Sequence, residues 1–149
     1  MRVMVIIKAN SDSEAGVMPS EKVLADMGKF NEQLVNAGIM LEGEGLHPTS
    51  KGKRVKFSPG NRIVTDGPFA ETRELIAGFW IWKVKSMDEA VEWVKRIPYD
   101  DEESKSDTEV EIRQVFDADD FGAELTPELR KLQDRIRAKA EKPKESTAG

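Results

Sequence analysis

The chain of 149 residues contains no cysteine and one histidine, His47. Absence of cysteine excludes disulfides, thiolate metal ligands and thiol nucleophiles together. A lone histidine leaves no histidine-based metal centre, so no metal site and no cofactor are expected. Net charge is −5, which argues against a nucleic-acid partner. The apolar run near the start, Val3 to Ile7, is far too short to span a bilayer and carries no cleavage-site pattern. No membrane association is expected, and a cytoplasmic protein is. No Walker-type phosphate loop, GxSxG, paired histidines or EF-hand pattern occurs.

What is present alternates between strand-like and helix-like segments. Residues 2–8 are β-branched without a breaker and read as a strand. A polar loop from Asn10 to Gly16 follows. Between Ser20 and Ala37 the residues Val23, Leu24, Met27, Phe30, Leu34 and Val35 recur at helical spacing, and Gly38 suits the closing cap. Ile39 to His47 reads as a second strand, where Gly43 and Gly45 signal a bulge or a close backbone approach. Lys53–Ser58 and Arg62–Asp66 flank Pro59-Gly60-Asn61, a hairpin signature. Leu75 to Val84 is a long strand. Ser86-Met87-Asp88-Glu89 has capping-box form and opens a helix ending near Arg96, before Pro98. After an acidic loop at 100–107 comes a last strand, Glu109 to Val115. Thr126-Pro127 starts a third helix reaching about Ala140. The expected organisation is a domain over 1–122, a C-terminal docking helix over 123–140 and a flexible tail over 141–149.

This order is that of the split βαβ, ferredoxin-like α+β fold, with an antiparallel sheet, an inserted β-hairpin and an extra C-terminal helix. Such a sheet carries its helices on one face. Yet Leu75, Ala77, Phe79 and Ile81 alternate with Ile76, Gly78, Trp80, Trp82 and Val84, so both sides of this strand are apolar. The first strand likewise sets Val3, Val5 and Ile7 against Met4 and Ile6. A sheet with one wet face alternates apolar with polar. The second face is therefore expected to be covered too, by another copy of the chain in a homodimer or by the hairpin and third helix of the same chain.

The block Asp66-Gly67-Pro68-Phe69-Ala70-Glu71-Thr72, together with Glu44-Gly45-Leu46, Ala77-Gly78-Phe79 and Arg96-Ile97-Pro98, resembles the DGPF-domain group of YCII-related proteins over roughly residues 1–116. The resemblance implies a dimeric α+β barrel, in which two ferredoxin-like sheets face each other around a cavity. Related barrels include small isomerases, monooxygenases and haem-binding proteins. Better-studied YCII-related members carry a histidine in the first helix and an aspartate before Pro-Tyr, a proposed acid–base pair. The matching positions here are Met27 and Ile97, so that pair is absent. Association of such genes with extracytoplasmic-function sigma factors implies a regulatory context.

Three constellations are candidates for function. His47 ends one strand and Asp66 another, so both could reach the same rim, and a carboxylate beside an imidazole makes a general base near neutral pH. Aspartate before Gly-Pro equally suits an Asx-turn closed on local backbone N–H groups. Glu42 and Glu44 share one side of their strand, and Glu111 and Arg113 share one side of theirs. With Glu71 and Arg73 at the rim, these would give an apolar cavity the few polar groups a small-molecule ligand needs, unless they simply face water. Third, Lys51, Lys53, Arg54, Lys56 and Arg62 make a basic hairpin that suits an anionic partner or a solvated edge. Two functions stay open: a small enzyme or ligand-binding protein built around a cavity, and a non-catalytic interaction protein in transcription regulation.

Overall fold

A computed structural model describes residues 1–71, 74–99 and 107–141. Residues 100–106 of the acidic loop and 142–149 of the tail lie outside the described residues. The chain divides into two compact units, Met1–Val115 and the remainder from Phe116.

The first unit holds β1 (Arg2–Lys8), α1 (Ser11–Glu14), α2 (Glu21–Asn36), β2 (Met40–Gly45), β3 (Lys53–Ser58), β4 (Asn61–Asp66), β5 (Ile76–Lys83), α3 (Met87–Val94) and β6 (Val110–Gln114). Its main sheet has the order β2-β5-β1-β6, antiparallel throughout, which is the ferredoxin-like arrangement. Among the described residues β3 and β4 pair only with each other.

Local chemistry sets the helix starts. Ser20 Oγ accepts the Val23 N–H, and Ser86 Oγ accepts the Glu89 N–H at 3.1 Å. The Glu89 carboxylate reaches back to the Lys85 N–H, one residue before the cap. The expected polar loop at 10–16 contains the short α1. There Asn10 Oδ1 accepts the Ser13 N–H and Ser13 Oγ accepts the Asn10 N–H, a reciprocal box that stabilises a single turn.

Helices α2 and α3 pack on the sheet face bearing Val3, Val5, Trp80 and Trp82. Phe30 of α2 sits among the indoles, edge-on to Trp80 at 6.0 Å and to Trp82 at 6.4 Å between centroids. Leu34 and Ala90 complete this fully buried centre. Trp80 Nε1–H donates to Asn31 Oδ1 at 3.0 Å, whereas the buried Trp82 Nε1–H has no partner among the described residues. Gly43 marks a close approach, while the bulge lies two residues earlier at Leu41 and Gly45 has open space beside it. The register slips between Met40 and Glu42, and a Cβ on Gly43 would sit 2.5 Å from Trp80 Cδ1. Only glycine lets the edge strand lie under that ring.

The second unit contains a 3₁₀ turn at Ala118–Asp120 and α4 (Pro127–Glu141). Arg130 Nη1 pairs with Asp119 Oδ1 at 3.1 Å, tying helix to turn, and the Phe116 and Phe121 rings lie 5.2 Å apart.

Candidate functional site

Strand register lays out the central rows of the face opposite α2 and α3, helix-free within the first unit. Glu42 stands opposite Ile81, Ile81 opposite Met4, and Met4 opposite Arg113. In the next row Glu44 meets Phe79, Phe79 meets Ile6, and Ile6 meets Glu111. The face therefore has a four-residue apolar centre, Met4, Ile6, Phe79 and Ile81, bordered by carboxylates on the β2 edge and by Arg113 and Glu111 on β6. Ile6 is buried, Met4, Phe79 and Ile81 are half-buried, and Glu42, Glu44 and Arg113 are exposed. Phe79 lies on this face, whereas Trp82 points to the other and is fully buried under α2 and α3.

Charges on this face are unevenly matched. Glu111 lies 3.7 Å from both Lys8 Nζ and Arg113 Nη1, so its carboxylate is shared between two cations. Glu42 and Glu44 form no ion pair or side-chain hydrogen bond among the described residues.

The remaining expected residues gather at the base of the hairpin, apart from this set. Asp66 ends β4, and its carboxylate accepts from Lys53 Nζ across the ladder, with side chains 74% and 67% exposed. Among the described residues no backbone N–H of its own turn bonds it, so the Asx-turn expectation fails: the Gly67 N–H is taken by Gly52 O at 2.9 Å. His47 is exposed beyond β2, and no hydrogen bond links it to Asp66 among the described residues. Glu71 accepts from Arg54 Nη1 at 3.2 Å. A bond from its own backbone N–H, and then Arg54, hold this carboxyl below the ordinary glutamate range. Arg73 lies outside the described residues.

Sequence reasoning missed the residues that knit this corner together. Thr49 Oγ1 donates to Glu14 Oε2 at 2.6 Å and accepts the Phe69 N–H at 3.1 Å, while its own N–H donates to Glu14 Oε1 at 3.2 Å. The Arg54 guanidinium stacks 3.9 Å above the Phe69 ring and turns its Nη1 to Glu71. Asp66–Glu71 thus joins the hairpin to the turn at 49–51 and, through Glu14, to α1. Glu14 and Thr49 carry no local signal, because their bonds span 35 residues.

Architecture and site define a ferredoxin-like α+β protein whose sheet has a second, helix-free apolar face. Comparison with known proteins carries this further. The YCII-related domain matches residues 1–119, and the chain belongs to that family. It is 36% identical over 75 residues to an uncharacterized protein of Rhizobium meliloti (strain 1021), a match covering 50% of this chain and 60% of that protein. No helix of the described residues is long and apolar enough to cross a membrane.

Proposed function

We propose that this protein is a cytoplasmic homodimer that holds a small molecule between two helix-free sheet faces. The supporting observation is the patterned face itself: Met4, Ile6, Phe79 and Ile81 at the centre, with unpaired Glu42 and Glu44 on one border and Arg113 on the other. Apolar surface with a few placed polar groups is the usual form of a ligand site. The ligand that fits has an apolar body and hydrogen-bond donors or a cation for the two glutamates. On this reading Glu42, Glu44 and Arg113 orient it. Asp66 and His47 have no part in binding, and Glu71 serves the hairpin corner.

The test is native mass spectrometry and sedimentation of the protein as purified. A dimer at micromolar concentration carrying a reproducible small-molecule mass is expected. Phe79→Asp should give folded protein that no longer carries the ligand, because a carboxylate there would be buried unpaired between the sheet faces. A stable wild-type monomer at that concentration would end the proposal.

One observation favours a second reading, that of an interaction protein. Val55, Phe57 and Val64 of the hairpin are 50%, 73% and 61% exposed beside its basic residues. A wild-type dimer with no bound small molecule, whose hairpin amides become protected by an acidic protein, would favour it.

A further inference from the structure

α4 lies beyond the residues that match the family, and its apolar seam is uncovered. Leu129, Leu132 and Ile136 are 43%, 42% and 57% exposed. A 15-residue helix is marginal in water unless such a seam is buried. Leu125, Leu129, Leu132 and Ile136 follow the 4-3-4 spacing of a coiled-coil seam, with Leu125 just before the helix.

Charge selects the occupant. In an antiparallel pair of two α4 helices, Leu129 sits opposite Leu132 of the other copy and Leu125 opposite Ile136. In that register the flanking positions bring Glu128 of each helix to Arg135 of the other, twice over by symmetry. A parallel pair would set Glu128 against Gln133 and Arg135 against Ala140, with no ion pair. Neither Glu128 nor Arg135 makes an ion pair among the described residues. We infer that α4 is a self-complementary dimerisation helix, pairing antiparallel with α4 of a second copy through Leu129, Leu132 and Ile136 and two reciprocal Glu128–Arg135 bridges. This rests on α4 alone and is independent of the sheet-face proposal.

Because the chain has no cysteine, single cysteines report the pairing cleanly. Leu125→Cys and Ile136→Cys chains, mixed and mildly oxidised, should form the 125–136 disulfide. Each alone should stay uncrosslinked, since antiparallel copies of one position are separated by 11 residues, or about 16 Å along the helix. Glu128→Arg or Arg135→Glu in both chains should cut the mixed yield about tenfold, and the double exchange should restore it to within about twofold. Crosslinking of Ile136→Cys with itself would mean parallel pairing. Absence of any crosslink would mean that the seam is buried elsewhere. Failure of the double exchange to rescue would mean that the bridges do not exist. Each of these overturns the inference. A sheet-face dimer lacking α4 pairing would still bind its ligand, so the two proposals fail separately.

Discussion

Gly67 lies so close to Thr49 that a Cβ on it would fall 1.7 Å from the Thr49 carbonyl oxygen. Two residues on, the Phe69 N–H donates to the Thr49 hydroxyl. The most distinctive block of the sequence is thus held by its backbone against a turn 18 residues earlier. This is a structural reason for glycine there, independent of any chemistry.

Gly67→Ala should therefore be among the most destabilising single substitutions. Neither partner is a flexible side chain that can swing away, so the backbone itself must shift. A loss of at least about 2 kcal/mol is expected. Chemical denaturation checks it, and a wild-type midpoint would show the contact to be loose.

Thr49→Val keeps the shape and removes the hydroxyl. The Phe69 N–H loses its acceptor and Glu14 loses a donor, at a cost of about 1–3 kcal/mol. Thr49→Ser should recover most of it. Amide exchange at Phe69, faster in Thr49→Val than in wild type, is the local readout.

Phe30→Ala should cost about 3–5 kcal/mol, because the ring fills the space between Trp80 and Trp82 and is only 3% exposed. Tryptophan fluorescence should shift to the red as the cavity admits water. An unchanged melting temperature with unchanged emission would place the ring outside the core.

Glu71 titrates low, and its depressed folded-state pKa sets the sign of its pH effect. Its stabilisation is present above the unfolded glutamate pKa and is lost as pH falls through the lower folded value. Arg54→Gln should raise the Glu71 carboxyl towards the ordinary value in a carbon-detected NMR titration and loosen the hairpin base. An unmoved titration would show that its own backbone N–H alone sets the shift.

Asp66→Ala should change stability by less than about 1 kcal/mol, as expected of an exposed ion pair. Asp66→Asn should be similar. A larger loss on Asp66→Ala, spared in Asp66→Asn, would return the residue to a backbone-capping role.

Much of this was legible in the sequence because it is local. Helical periodicity, the capping box at Ser86 and two-sided apolar strands report on residues within a few positions of one another. They were enough for the element order, the ferredoxin-like topology and the paired sides of Glu42 with Glu44 and Glu111 with Arg113. α1 escaped because a single turn held by the Asn10–Ser13 box has no apolar period to show.

Tertiary structure alone decided how those sides combine. Register set Glu42 in one row with Ile81, Met4 and Arg113, and it put Phe79 on the helix-free face while burying Trp82. A shift of one residue would have exchanged the faces, and no local property of β5 distinguishes them. Likewise Asp66 looked like a turn cap until the hairpin ladder set Lys53 directly opposite it. Glu14 and Thr49 became partners only because the chain folds back across 35 positions. Short-range sterics and periodicity determine which elements form. Which side chains meet depends on strand pairing and long-range hydrogen bonds, and these exist only once the sheet is assembled.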